Sequence, residues 1–398
     1  MSFFFYLTVA ASSLAVAAGL NTHTRPTFSD ATLSQIRKNA ISASNQSWEL
    51  GTLYQALTLL DAYQLTDLGA DVVPVNASAG TVPDEVTSGL DDILAAREKG
   101  LKPFMRNGSP ADPASIGPAA IAVGTTTGKD KYSNAAASQL DYLLHNVPRD
   151  TNNITLSHRQ EKFQAWADFM YMAPPFIADS AASVGGDYGA SLMWFAHQQA
   201  LNYRTLLQDP KSKLWRHIAK GDWNDTGLWA TGQGWAAMGM LRVEATITKS
   251  EYASNMKSER ADLRKWTNEI LNATWSRQQD SGLVKNYMDQ DTFEDAAGTA
   301  LIAAATYRYS LITETTDYIP FAEKAFTKLI QLVDKKGWLQ SVVNPYNFKE
   351  VSDRSPEAQS FLIFLHVTST KFYEWQQDPK RILGTALLKG ITLANRGA

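Results

Sequence analysis

A single carboxylic acid, Asp168, interrupts an otherwise apolar and aromatic run over residues 164–176. Burial among such neighbours would disfavour the charged form of the carboxyl group and raise its pKa. A raised pKa suits a general acid that works near neutral pH. A structural acid, paired with a backbone amide or an arginine, is the alternative, because such pairs also perturb carboxylates. The pattern around Asp168 therefore indicates either acid catalysis or a buried structural pair.

The other residue types narrow the chemistry that could accompany this acid. The chain has no Cys, which excludes thiol catalysis and thiolate metal sites. Its six His residues include no His-x-x-x-His pair, so we expect neither a metal ion nor an organic cofactor. Eleven Trp and fifteen Tyr could form core, or could line a sugar site where rings stack on the C–H faces of the sugar.

The beginning of the chain has the pattern of a secretory signal peptide. An apolar run ends in the small-x-small sequence Ala15-Val16-Ala17, although no Lys or Arg precedes it. The run is too short for a membrane anchor, and no other segment is long and apolar enough to span a bilayer. We therefore expect a signal peptide over residues 1–18, a secreted protein, and a single domain over residues 19–398.

Possible glycosylation sites agree with secretion. Asn-x-Ser/Thr triplets begin at Asn45, Asn76, Asn107, Asn153, Asn224 and Asn272. Asn107 is a poor acceptor because Gly-Ser-Pro follows it. We expect a secreted glycoprotein in which several of these triplets are unused.

The composition limits the class of protein and of partner. The chain has 398 residues, of which 44% are hydrophobic and 19% are charged, so it is globular and not disordered. The net charge of −3 gives no indication of a nucleic-acid partner. We expect a monomer with neither a nucleic-acid nor a membrane partner.

The spacing of apolar residues is helical along most of the chain. It predicts helices over residues 33–43, 48–63, 83–97, 112–122, 131–144, 163–172, 188–207, 228–248, 259–276, 292–311, 320–333 and 355–373, and a last one after Pro379. Convincing strands are scarce. The chain is therefore predicted to be one all-α domain of successive helical hairpins. A closed ring of hairpins would place helix ends and loops around a central cavity.

Four segments carry a resemblance to a known family. They are Asp112 to Gly117 with Thr127 to Tyr132, Trp166-Ala-Asp168-Phe-Met-Tyr171-Met-Ala-Pro-Pro-Phe176, Leu228-Trp-Ala-Thr-Gly-Gln-Gly-Trp235 and Thr292-Phe-Glu-Asp295-Ala-Ala-Gly298. In these segments the chain resembles the unsaturated glucuronyl and rhamnogalacturonyl hydrolases, glycoside hydrolase families 88 and 105. The resemblance implies an (α/α)6 barrel, the six-hairpin toroid. With the apparent leader, it suggests a secreted, fungal-like member.

The resemblance also implies an activity and a substrate. Enzymes of this family remove a 4,5-unsaturated uronic acid from the non-reducing end of oligosaccharides left by polysaccharide lyases. They hydrate the C4=C5 enol ether, after which the hemiketal opens and expels the aglycone. By this resemblance Asp168 protonates C4, Asp112 lies beside it, and no metal or organic cofactor is needed. The expected partner is a pectin-type oligosaccharide.

Further residues are candidates for substrate binding. The resemblance assigns sugar contacts to Trp166, Tyr171, His217, Trp229, Thr231 and Trp235, and we add Arg106 as a possible partner of the uronate. Each has a simpler alternative. Asp112 before Pro113 could be a helix cap. The tryptophans could be core, and a lone histidine could be structural.

The departures from the family pattern bear on substrate binding. Thr231 stands where the family often has an arginine that suits a carboxylate. Phe169 replaces a glycine, Asp295 replaces a glutamate, and the histidine that commonly precedes Trp-x-Asp is absent. Uronate recognition could then come from Arg106, His217 or Lys285. A toroidal glycosidase of a saturated sugar and a non-catalytic glycan-binding protein stay open as alternatives.

Overall fold

The computed structural model of the protein describes residues 25–379 and residue 381. Outer and inner helices alternate along the chain. The outer helices are α1 (Asp30–Ala43), α3 (Asp84–Ala96), α5 (Asp130–Asn146), α8 (Gly186–Leu207), α10 (Lys257–Trp275) and α12 (Ile319–Leu332). The inner helices are α2 (Ser47–Asp61), α4 (Gly117–Thr127), α6 (Phe169–Met172) with α7 (Pro174–Val184), α9 (Ala230–Lys249), α11 (Ala296–Thr313) and α13 (Pro356–Gln376). The signal peptide expected over residues 1–18, and all but the start of the helix expected after Pro379, lie outside the described residues.

The inner helices form a closed ring. Helix α2 packs on α4, α4 on α7, α7 on α9, α9 on α11 and α11 on α13, and α13 returns to α2. The outer helices cover this ring, with α5 against α4, α8 against α7, α10 against α9 and α12 against α11. The all-α prediction and the (α/α)6 barrel implied by the resemblance are therefore confirmed.

The inner helices are buried on most sides, as expected for helices surrounded by other helices. Helix α9 is buried along nearly its whole length. A Cβ atom on Gly239 would lie 2.0 Å from the carbonyl oxygen of Met170, so glycine is what allows α9 to pass the backbone of α6. Within residues 25–379, no helix is both long and apolar enough to cross a membrane.

Three short antiparallel strand pairs lie in the segments that lead into inner helices. They are β1 (Gln164–Trp166) with β2 (Ile218–Lys220), β3 (Val284–Lys285) with β4 (Glu294–Asp295), and β5 (Val342–Asn344) with β6 (Asn347–Ser352). Because the two helices of each hairpin run antiparallel, the inner helices all begin at one end of the ring. The strand pairs gather around this end.

Two predicted helices start later than the apolar spacing indicated. The helix expected over 163–172 begins at Phe169, because residues 164–166 pair with β2 in the register Ala165 to Ala219. A short apolar run is buried in either form, so its spacing could not identify the strand. The helix expected from residue 292 begins at Ala296, where the Asp295 side chain caps the first turn.

A group of buried charges crosses the ring towards its other end. We call Asp67, Arg242 and Arg308 the axial charge cluster. One carboxylate oxygen of Asp67 lies 3.3 Å from Nε of Arg242 and 2.9 Å from Nη2 of Arg308. Burial alone would raise the pKa of Asp67, but the two guanidinium groups outweigh burial and lower it. The cluster is therefore ionised and held together by charge pairing.

Candidate active site

A cavity of about 390 Å³ opens at the end of the ring where the inner helices begin. Its lining residues come from the first turns of inner helices and from the loops that precede them. They are Trp48, Asn107, Asp112, His158, Arg159, Trp166, Asp168, Met172, Trp223, Trp229, Thr231, Trp235, Pro345, Tyr346, Phe348 and Glu357. The volume suits a small saccharide, and the lining joins aromatic rings to a few carboxyl groups.

Most of the residues named from the sequence lie at this cavity. Asp112, Asp168, Trp166, Trp229, Thr231 and Trp235 line it. Tyr171 lies behind the wall, with its ring centroid 4.6 Å from that of Trp235. His217 also lies behind the wall, 4.3 Å from the Trp229 ring, and is fully buried. The ring of inner helices thus brings together residues that are more than a hundred positions apart in the sequence, such as Asp112 and Trp235.

Arg106 is not part of this cavity, which corrects its selection as a uronate partner. Its side chain is 70% exposed and pairs with Glu98 on the surface. Lys285 pairs with the exposed Asp291 and is likewise absent from the lining. The cation of the cavity is Arg159, since no other Lys or Arg among the described residues lines it.

The two aspartates are buried carboxyl groups that influence each other. Burial, and next the charge of Asp168, raise the pKa of Asp112 to about 8. Burial also raises the pKa of Asp168, while the neighbouring His217 lowers it. Burial thus favours the protonated form of both carboxyl groups, and the titration of two interacting groups belongs to the pair. The site can therefore supply a proton from a buried acid.

The alternative role of Asp112 as a helix cap is wrong. Asp112 is the first residue of the 3-10 helix Asp112–Ile116, and its side chain makes no capping hydrogen bond there. The structure instead places its carboxyl group 3.8 Å from Nε2 of His158. The short run Asp112-Pro113 therefore turns the carboxyl group into the cavity.

His217 connects Asp168 to a third acid. Its Nδ1 lies 3.0 Å from Asp225, which also accepts a hydrogen bond from the Tyr287 hydroxyl. Although burial raises the pKa of Asp225, these two hydrogen bonds outweigh burial and lower it to about 2. Asp225 is therefore ionised, so Nδ1 of His217 carries the hydrogen of this bond.

The other nitrogen of His217 faces Asp168. Nε2 lies 3.8 Å from Oδ2 of Asp168, and both atoms are buried with no hydrogen-bond partner in the described part of the chain. With a hydrogen on Nδ1, Nε2 is the nitrogen that can accept a hydrogen bond from a protonated Oδ2 of Asp168. Catalytic hydrogen bonds are often long before substrate binds. This geometry favours Asp168 as the acid.

Changing Asp225 to Asn should test this connection. The charge that fixes the hydrogen on Nδ1 of His217 would be lost, so kcat should fall roughly 10–100-fold with little change in KM. The measurement is steady-state kinetics across pH, with the exposed neighbour Asp222→Asn as the control. A kcat equal to that of the native protein would mean that His217 is only a wall residue.

His158 and Arg159 were missed because the sequence has no histidine just before Trp166. The chain folds back between His158 and Trp166, and the backbone amide of His158 donates a hydrogen bond to the carbonyl of Gln164. The imidazole of His158 consequently stacks on Trp166 at 4.9 Å. Burial, and next the charge of Arg159, lower the pKa of His158, so its imidazole is neutral. The signal for His158 in the sequence is that it lies fewer than ten positions before Trp166.

Aromatic side chains from separate loops form the rim. The Trp223 ring meets Trp166 edge-on at 5.5 Å, and Trp48 meets Tyr346 at 6.0 Å. Trp223 and Tyr346 are 52% and 66% exposed. Exposed rings at a cavity mouth suit contact with the faces of sugar rings. Over the described residues, no group of three His, Asp or Glu side chains could hold a metal ion.

Comparisons with known proteins identify the family of the chain. The family model described as Glycosyl Hydrolase Family 88 matches residues 27–353. The unsaturated rhamnogalacturonyl hydrolase YesR of Bacillus subtilis is 28% identical over 255 residues, which cover 62% of this chain and 68% of YesR.

Solved structures show the same fold. A possible member of the GH105 family from Klebsiella pneumoniae has a TM-score of 0.68 at 17% identity, over 87% of this chain and 93% of that one. An unsaturated glucuronyl hydrolase specific for heparin has a TM-score of 0.58 at 13% identity, over 87% and 99% of the two chains.

Proposed function

Because the chain belongs to glycosyl hydrolase family 88, we propose that it removes a 4,5-unsaturated uronic acid from lyase-generated, pectin-type rhamnogalacturonan oligosaccharides. The family is that of the unsaturated rhamnogalacturonyl and glucuronyl hydrolases, and the chain is a glycoside hydrolase. The observation that carries the proposal is the Asp112–Asp168 pair, which is buried in one aromatic cavity beside His217. The similarity to YesR favours a rhamnogalacturonan fragment over other unsaturated substrates.

The proposed reaction begins at the enol ether. The Asp168 carboxyl group gives its proton to C4, and positive charge develops on C5 and the ring oxygen. Water adds to C5, and the Asp168 carboxylate takes the proton that this water loses. The hemiketal at C5 then opens to a ketone by breaking the bond to the ring oxygen. The hemiacetal left at C1 expels the aglycone as an alcohol, so one water is consumed in each cycle.

Asp112 supports this reaction through its charge and its proton. Since the two carboxyl groups are coupled, a proton held on Asp112 removes a negative charge beside Asp168. A neutral acid there can also donate a hydrogen bond to the substrate. His217 restrains the Asp168 proton at Oδ2 until substrate arrives.

Arg159 is the proposed partner of the uronate carboxylate. Thr231 gives its hydroxyl hydrogen to Asp295 and has no charge to offer. The guanidinium of Arg159 lies 5.9 Å from the Trp166 ring, and its nearest carboxylate, Glu161, is 3.6 Å away. The ion pair uses Nε, so the two Nη groups can form a two-point contact with a substrate carboxylate. Arg159 would then supply, from another wall of the cavity, the positive charge that the family often has at position 231.

The change Arg159→Ala should raise KM for an unsaturated uronyl disaccharide about 10–100-fold, because a hydrogen-bonded charge contact is lost. Arg159→Lys should recover part of this loss, since it keeps the charge without the planar fork. Kinetics of both variants would be compared with Arg106→Ala, an arginine outside the cavity. Equal KM values for Arg159→Ala and Arg106→Ala would remove Arg159 from substrate binding.

The first experiment is the ultraviolet absorbance of the conjugated enol ether. Lyase-generated fragments of rhamnogalacturonan and of glucuronan would be mixed with the purified protein. A fall in absorbance supports hydration, and the faster substrate identifies the preferred aglycone. Steady absorbance with folded protein would overturn the proposal. Hydrolysis of saturated glycosides would then indicate an ordinary toroidal glycosidase, and binding without turnover would indicate a glycan-binding protein.

We also propose that the protein is a secreted, monomeric glycoprotein. Asn45, Asn76, Asn153, Asn224 and Asn272 are exposed, as acceptors must be. Asn107 instead lines the cavity and donates a hydrogen bond to Ser47, so a glycan there would fill the substrate space. N-terminal sequencing of protein recovered from medium tests the signal peptide over residues 1–18, and light scattering tests the monomer.

A further inference from the structure

Glu357 is an acid in the cavity that the reaction does not use. It lies in the first turn of α13, where it lines the cavity with Thr231, Trp235 and Tyr346. The residue is 6% exposed. Its Oε2 atom is buried and has no hydrogen-bond partner in the described part of the chain. An unpaired buried polar atom is costly, so its persistence at a cavity wall points to a ligand.

The neighbouring acids cannot satisfy Glu357. Glu49 accepts hydrogen bonds from the backbone amides of Asn45 and Gln46, at 2.8 and 3.0 Å. Asp295 accepts hydrogen bonds from the backbone amides of Ala297, Gly298 and Val343 and from the Thr231 hydroxyl. These bonds occupy Oε2 of Glu49 and both oxygens of Asp295, and neither acid makes a hydrogen bond to Glu357.

The charges around Glu357 favour its neutral form. Burial, and next the charge of Glu49, raise its pKa to about 8, and Asp295 acts in the same direction. The pKa of Tyr346 is raised as well, first by burial and then by the charges of Glu49 and Glu357. A neutral carboxylic acid can donate one hydrogen bond and accept another, which matches a sugar hydroxyl.

The position of Glu357 separates it from the uronate contact. Glu357 stands in the first turn of α13, whereas Arg159 stands in the loop before β1. The two residues therefore reach the cavity from different elements of its wall. A sugar held by its carboxylate at Arg159 would present a hydroxyl-bearing edge elsewhere.

We propose that Glu357 is a specificity-determining residue that binds a hydroxyl group of the sugar in the cavity through its free Oε2 atom. The proposal rests on the proposed function, because it assigns a contact within the same site. Glu357 lines the cavity together with Thr231, the position where the family often has an arginine. A carboxylic acid would then contact the sugar on a wall where the family often has a positive charge. Acceptance of a substrate then depends on a correctly placed hydroxyl as well as on the uronate.

The test is saturation kinetics of Glu357→Ala and Glu357→Gln with an unsaturated uronyl disaccharide. Glu357→Ala should raise KM roughly 5–50-fold and change kcat less than about threefold, because a ground-state contact is lost while the acid stays intact. Glu357→Gln keeps a donor and an acceptor in the same shape, so its KM should stay within about threefold of the native value. Glu374→Ala, an exposed acid on the same helix, is the control.

The outcomes separate this inference from the proposed function. No native activity on any unsaturated substrate would overturn the proposed function. Native activity with an unchanged KM in Glu357→Ala would overturn only the role of Glu357. Equal losses of kcat and thermal stability in Glu357→Ala and Glu357→Gln would also overturn it, because they would show a structural role.

Discussion

Exchanging Asp168 for Asn should abolish the fall in ultraviolet absorbance that marks hydration of the enol ether. We expect kcat to decrease roughly 10²–10⁴-fold, the range supplied by a positioned general acid. An amide has no proton to give to C4 and cannot take one from water. Because the side chain keeps its shape, substrate binding should survive, and a binding assay should give an affinity close to that of the native protein.

The control for this experiment is Asp187→Asn, an exposed acid at the start of α8. Activity of that variant should equal native activity. If Asp168→Asn kept more than about a tenth of native kcat, Asp168 could not be the acid, since a lost general acid costs more than this. Asp112, whose pKa is about 8 and which the charge of Asp168 influences, would then be the acid to test next.

The largest loss of stability is expected from Asp67→Asn. This change removes the carboxylate that pairs directly with the buried guanidinium groups of Arg242 and Arg308, and removing one partner from a buried ion pair costs about 3–5 kcal/mol. Both arginines are almost fully buried, at 2% and 1% exposure, so water cannot replace the lost charge. Chemical denaturation should show a lower midpoint and an unchanged slope.

The exposed pair Lys285–Asp291 provides the control, since Asp291→Asn should leave the midpoint unchanged. The pH dependence gives a second test. The pKa of Asp67 is lowered in the folded state, so its stabilisation is present above the unfolded pKa and is lost as the pH falls through the folded pKa. Asp67→Asn should therefore flatten the acid side of the stability profile. Equal midpoints for Asp67→Asn and Asp291→Asn would contradict the role of the cluster.

The helical hairpins followed from the apolar spacing of each helix, whereas the six-hairpin ring was implied by the family resemblance. The segment over residues 163–172 was an exception, because pairing between Ala165 and Ala219 depends on a partner far along the chain. Asp168 could be named from its local pattern, since an acid among apolar residues is visible without a structure, and Asp112 could be named from the resemblance. The raised pKa values of both acids could not be predicted, because they depend on burial in the folded chain.

The remaining site residues show where sequence reasoning ends. Arg106 is only six positions from Asp112, yet its side chain turns outward to Glu98. Arg159 and Glu357 have no motif, and they reach the cavity through a loop and through the first turn of α13. Their roles follow from contacts that only the folded chain provides.

The side chains that lie behind the two aspartates determine how a substrate enters the cavity and how the products leave it. Trp235, Tyr171 and the guanidinium of Arg242 lie in succession, with Arg242 5.1 Å from the Tyr171 ring. These side chains fill the axis, so a polysaccharide cannot be threaded through the ring. The cavity is a dead end that admits only a chain terminus, and both products must leave through the mouth by which the substrate entered. Under the proposed function an oligosaccharide has a single unsaturated end, so each molecule would enter once, react once and leave as two products through the same opening.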